Sequence, residues 1–198
     1  MTQVSRRTLV TAGSGLTLAG LMGLIRPGFA QDNMMGMTVA EDGYSYMASD
    51  PNLTLWVQLI DAGGLQEFAR AATPYTVFPA TDAAFSDFPA LIKNLLGYQT
   101  TTGTHNSAEA FPDTSKIVKI VRSHVVAGKH YPSEVMMKKI TVTTVAGTPL
   151  EIDATDPHAV KLSWNSAGNG EPLTATLDEP PVTCVNAVIY PINKIEQM

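Results

Sequence analysis

The chain has 198 residues, 44% of them hydrophobic and 16% charged, which fits one ordinary domain plus an appendage and excludes wholesale disorder. Its 13 basic and 18 acidic residues give a formal net charge of −5, a balance that disfavours nucleic acid and anionic lipid as partners. A single cysteine, Cys184, excludes an internal disulfide.

Ser5-Arg6-Arg7-Thr8-Leu9 opens an apolar, glycine-diluted run to Ile25, and Gly28-Phe29-Ala30 places small residues where a signal peptidase cuts. Residues 1–30 therefore read as a cleavable export signal, and the pair Arg6-Arg7 points to the twin-arginine route of bacteria. An ordinary secretory signal with a chance arginine pair is the alternative. The run is too short and too rich in glycine to cross a bilayer. Cleavage after Ala30 removes Arg6, Arg7 and Arg26 and no acid, so 10 basic residues face 18 acids and the mature net charge is −8. The expected destination is the periplasm or the medium, with no membrane span in the mature form.

Residues 31–49 are polar and unpatterned, with Met34, Met35, Met37 and Met47. Thioethers suit monovalent copper, but neither histidine nor cysteine accompanies these, and a flexible leader is the expectation. Order is expected to begin at Asp50-Pro51 and to continue to the C-terminus as one domain, 50–198. Leu53, Trp56, Leu59 and Ile60 share one helical face that Gly63-Gly64 closes; Leu65, Phe68 and Ala69 form the inner side of a second short helix. Tyr75-Thr76-Val77-Phe78 has the β-branched and aromatic bulk of a buried strand, and Pro79 ends its ladder. Thr81 or Asp82 then caps a turn that brings Phe85 back to the core. Pro89 opens a helix with Leu91, Ile92, Leu95 and Leu96 as its stripe and Gly97 as its stop.

Residues 98–115 have loop composition, and Ser115 can cap a helix carrying Ile117, Ile120, Val121 and His124. A turn at Gly128 follows, then a brief helix from Pro132 that buries Val135 and Met136. From Ile140 the period becomes two: strands are expected at 140–145, 150–152, 160–164 and 173–177, with a long final strand over 182–191.

Three stretches carry a resemblance. Tyr75 to Phe85 resembles the first signature of the fasciclin domain family, roughly Thr-Val-Phe-x-Pro-Thr-Asp-x-Ala-Phe, with Pro79 one place early and Ala80 in the proline's usual position. His124-Val125-Val126-Ala127-Gly128-Lys129-His130-Tyr131 is similar to the family's second landmark. Val182 to Pro191 resembles its closing signature, with Thr183 in the histidine position and Asn186 in the aspartate position. The resemblance implies a compact α+β domain, with two small β-sheets packed near a right angle and helices grouped at one side. It assigns structural roles to Thr76, Phe78, Asp82, Phe85, His124, Gly128, Asn186 and Pro191, and makes 98–115 an inserted loop.

No Gly-x-Ser-x-Gly elbow, phosphate-cradling loop, Cys-x-x-Cys pair or zinc-like histidine frame is present, so no catalytic residues, metal or cofactor are assigned. His124, on an apolar stripe, reads as a satisfied core histidine. Asp153 and Asp156 beside His158 read as a solvated acidic loop rather than a calcium site, and Cys184 as a small buried hydrophobe. His130 and Tyr131, which the turn at Gly128 should expose, are the candidate binding residues: the resemblance implies a link to receptor contact for the tyrosine-histidine neighbourhood of animal relatives, although the order here is histidine then tyrosine; His105 in the inserted loop joins them. The expected function is that of an exported, non-catalytic module for adhesion or for association with a cell-surface, matrix or envelope component, protein or polysaccharide. The alternative is a carrier of a small apolar ligand such as a carotenoid or lipid.

Overall fold

The computed structural model describes residues 36–86, 89–97, 112–156, 159–164 and 172–195. The export signal expected at 1–30, with Arg6, Arg7 and Ala30, lies outside them, as do His105 and residues 98–111. In chain order the first half contains β1 (Met37–Thr38), α1 (Gly43–Ser49), α2 (Thr54–Ala62), α3 (Gln66–Arg70), β2 (Tyr75–Val77), α4 (Asp82–Ser86) and α5 (Pro89–Leu96). The second half contains α6 (Thr114–Ser123), β3 (Val125–Ala127), α7 (Pro132–Val135), β4 (Lys139–Thr143), β5 (Pro149–Asp153), β6 (Lys161–Trp164), β7 (Leu173–Thr176), β8 (Val182–Thr183) and β9 (Ala187–Ile189). These make a mixed five-stranded sheet of order β1-β8-β9-β2-β3 and an antiparallel four-stranded sheet of order β4-β5-β6-β7. Helices α1 to α6 pack on one another beside the mixed sheet.

All three residues of β2 are buried, as an internal strand packed on both faces requires. It pairs parallel with β9, Thr76 against Val188, and antiparallel with β3, Thr76 against Val126. Phe78 is 1% exposed and stacks on Tyr190, ring centroids 5.5 Å apart, so the first and last signatures share one core. In the second sheet the period of two appears as written: Leu150, Ile152, Leu162 and Trp164 are buried while Lys139, Thr141 and Lys161 face outward.

The structure corrects the sequence reading in several places, among them Met136, which is only half-buried. The leader expected to be flexible through Ser49 is folded from β1 onward. Met37 N and Val39 N donate to Pro181 O and Thr183 O at 3.1 and 2.8 Å, and Asp42 caps α1 by accepting from Ser45 N at 2.9 Å. Met47 enters the core at 1% exposure. Helix α2 starts at Thr54 rather than Asp50, because Asp50 to Leu53 form a turn in which Leu53 N donates to Asp50 O. Phe68 is 39% exposed, its ring tilted against the edge of the core at Tyr75, 5.8 Å between centroids, while Leu65 just before α3 and Ala69 within it are buried. Asp113, not Ser115, caps α6, accepting from Lys116 N at 3.0 Å, and the insertion therefore ends before 114. The long final strand is a hairpin, β8 turning into β9 through Cys184-Val185-Asn186.

That last turn fixes the N-terminal strap to the domain. Asn186 Oδ1 accepts from Gly43 N at 2.8 Å, while its Nδ2 donates to Ala69 O and Ala71 O at 3.1 and 2.7 Å. Gly43 has no alternative, because a Cβ there would sit 2.5 Å from the Tyr75 hydroxyl and 2.7 Å from Ala187 Cβ. Two carbonyl acceptors demand a donor, which explains an amide where the family signature has a carboxylate.

Two stability outcomes follow from this packing. Phe78→Ala should lower the unfolding free energy by roughly 3–5 kcal/mol in urea denaturation, the cost of emptying a buried aromatic site. Asn186→Asp should cost roughly 2–4 kcal/mol at neutral pH, because a carboxylate would then oppose two carbonyl oxygens that have lost their donors. A loss below about 1 kcal/mol for either would contradict the assigned packing.

Candidate functional site

The loop Gly128 to Tyr131 is where the three sequence landmarks meet. Strand β3 delivers the chain to Gly128, whose φ of +85° turns it away from the sheet. Buried Thr76 of the first landmark then holds the loop twice: its Oγ1 donates to Gly128 O at 2.8 Å and accepts from His130 N at 2.9 Å. Tyr190 of the last landmark donates its hydroxyl to His130 O at 2.8 Å. Lys129 reaches across to the β8–β9 turn, where its Nζ donates to Cys184 O and Val185 O at 2.7 and 2.6 Å. The same ammonium lies 6.0 Å from the Tyr131 ring centroid, at the outer limit of a cation–π contact. Glu134 Oε2 accepts from Tyr131 N at 3.3 Å at the start of α7.

The result is a rigid loop presenting a half-open aromatic ring, with Tyr131 38% exposed. His130 is half-buried and borders a narrow apolar groove between α7 and the two sheets, with a cavity volume of about 20 Å³. Phe78 and Tyr190 form part of its wall, with Val135, Met136, Ile152 and Leu162. The third candidate, His105, lies outside the described residues. The sequence pointed to His130 and Tyr131, but it did not reveal Lys129 as their anchor. A lysine in a loop reads as a solvated charge until the carbonyls that receive it are in place.

The structural residues divide by role. Asp82 caps α2 instead of its own helix, accepting from Leu55 N at 2.8 Å, while the Thr81 hydroxyl donates to Asp178 Oδ2 at 2.6 Å. Phe85 is buried, and Pro191 closes the last strand with its carbonyl accepting from Asp178 N at 2.9 Å. His124 is fully buried between Trp56 and Trp164, each ring centroid 5.1 Å away. Its Nδ1 faces Ile120 O at 2.9 Å, so that nitrogen carries the proton. Burial pulls its pKa down to about 4.

Burial also pushes the Cys184 thiol up to about 12, which makes it inert as a nucleophile. Asp153 accepts from the Thr155 hydroxyl and amide at 2.6 and 3.2 Å, while His158 lies outside the described residues. Among the described residues no three of His, Cys, Asp and Glu converge as metal ligands, and no helix is long and apolar enough to cross a membrane.

The Fasciclin domain profile matches residues 51–195. The chain belongs to the fasciclin family. It is 27% identical over 152 residues to an uncharacterised protein of Synechocystis sp., an alignment covering 74% of this chain and 90% of that one. It also resembles the structure of a FAS1 domain pair from the insect cell adhesion molecule fasciclin I, with a TM-score of 0.58 and 11% identity. That likeness covers 80% of this chain and 51% of the pair, so the chain spans about half of the insect structure and shares its fold. Residues 36–50, which carry the strap, precede the matched region.

The buried histidine makes the fasciclin fold acid-sensitive in a defined window. Unfolded, His124 titrates near 6.5; folded, near 4, so the unfolded state binds more protons between these values. Stability is therefore highest above pH 6.5 and falls as pH drops toward 4, by about 3 kcal/mol if no other group compensates. Urea unfolding at fixed ionic strength through this window checks it, and a flat midpoint would refute the buried neutral assignment.

Proposed function

We propose that the mature protein is an exported, non-catalytic fasciclin module, periplasmic or secreted, that associates with a cell-surface, matrix or envelope component. The single observation behind this reading is the Gly128–Tyr131 loop. Thr76, Tyr190 and Lys129 spend their hydrogen bonds on holding it, and it offers Tyr131 to solvent instead of a reactive constellation. A rigid aromatic with a polar tip loses little conformational entropy on binding, which suits a contact residue. Family membership supports the reading, since fasciclin domains are commonly adhesion-related.

Capture of envelope and matrix fractions on immobilised mature chain tests it. Tyr131→Ala should weaken capture about tenfold, the scale of an aromatic hot spot, with an unchanged melting temperature. Absence of any captured component from the native host would refute the reading. Export is read as following the twin-arginine route, and replacing Arg6 and Arg7 by lysine should then leave uncleaved protein in the cytoplasm.

A second reading, a carrier of a small apolar ligand such as a carotenoid or lipid, draws on the apolar lining of the groove beneath His130 and requires that narrow groove to widen around the ligand. Purification from the native host decides between them: a co-purifying pigment or lipid supports the carrier, and colourless, lipid-free protein removes it.

A further inference from the structure

Helix α6 turns Ile117, Ile120 and Val121 into the core, which leaves Thr114, Ser115, Lys116, Lys119 and Arg122 on its exposed side. Three cations at three-residue spacing thus occupy the outer face. None of them makes a side-chain hydrogen bond or ion pair with any described residue. Elsewhere Arg70 pairs with Asp42 and covers the Tyr44 ring, Lys139 meets Glu151 at 2.8 Å and Lys129 is held by two carbonyls, while Lys138, Lys161 and Lys194 stand singly; α6 differs in gathering three such cations on one face. The mature chain has a net charge of −8, and 3 of its 10 basic residues lie on this one helix.

Helix stability does not account for the arrangement. Lys116 stands in the first turn, where the positive end of the macrodipole disfavours a cation, and only Arg122, in the last turn, gains from it. Lys116 with Lys119, and Lys119 with Arg122, are like charges three residues apart and repel one another. The nearest acid along the chain, Asp113, is committed to the helix cap.

We propose that this face of α6 binds an acidic polysaccharide, one with a carboxylate or sulfate on successive sugars. The proposal rests on the reading of the protein as an envelope- or matrix-associating module and names the chemistry of its partner. Each three-residue step advances about 4.5 Å along the axis and moves about 60° around it, so the three charges follow an oblique path that rises about 9 Å while turning about 120°. A flexible polyanion crossing the helix obliquely can meet all three, and the Ser115 hydroxyl flanks its route as a donor for sugar oxygens. The exposed positions of this face include no apolar residue to enter a membrane.

Calorimetry of mature protein with alginate, neutral dextran and phosphatidylcholine–phosphatidylglycerol vesicles tests the proposal. Alginate should bind, more weakly as salt rises, and dextran should not. The combined variant Lys116→Gln, Lys119→Gln, Arg122→Gln should lose at least about tenfold in alginate affinity with an unchanged or raised melting temperature. The control Lys161→Gln, Lys194→Gln should lose less than about twofold. Equal alginate binding by parent and triple variant, or no binding by the parent, overturns the proposal. Stripe-dependent binding to vesicles without binding to alginate also overturns it, in favour of a membrane surface. If envelope capture depends on Tyr131 and not on the stripe, the broader function stands and this site falls.

Discussion

The parallel pairing of Tyr75–Val77 with Ala187–Ile189 is the constraint on which the rest depends. It joins a strand from the first half of the chain to one at the end, and parallel strands need a long crossover between them. Everything from α4 to β8 is that crossover: helices against one side, then a separate antiparallel sheet, then the return. Because β2 also carries β3 on its other edge, the strand is enclosed laterally, and it can afford Thr76 in the core only because that hydroxyl is fully used. The Phe78–Tyr190 stack fixes the same two segments beyond the ladder.

This arrangement decides where the candidate loop stands. Gly128 to Tyr131 leaves the sheet at the edge of β3, beside the β8–β9 turn, so hydrogen bonds from three distant parts of the sequence reach it. Ordering a loop costs conformational entropy, and here the ordering is done within the domain, before any partner arrives. The buried polar groups serve the same end elsewhere: Asn186 binds the strap, and His124 with Ser123 and Trp164 ties the end of α6 to β6. The orphan indole nitrogen of Trp56 is an exception among the described residues, and the structure offers no compensating partner for it.

Much of the fold was legible from local signals. The three signatures, the period of two from Ile140, and the stripes Leu53-Trp56-Leu59-Ile60 and Ile117-Ile120-Val121 are visible in the chain and buried in the fold. Helix α1 was missed because residues 43–49 are short and polar; the pattern Asp42-x-x-Ser45, a side-chain cap on a third-position amide, was the available signal. The single terminal strand was misread because Val182 to Tyr190 is almost continuously apolar, and periodicity cannot show a turn whose carbonyls are held by a lysine far away in sequence.

By itself the sequence determined the class of the domain, its core residues and its acidic surface, since these follow from residue type and spacing along a few neighbouring positions. Tertiary structure alone decided that the segment before Asp50 extends the sheet, that Lys129 anchors the His130–Tyr131 loop, and that the cations of α6 share an exposed face with no partner among the described residues. Each of these depends on which distant carbonyl or carboxylate comes within about 3 Å, and hydrogen-bond geometry at that range is set by the packed chain as a whole.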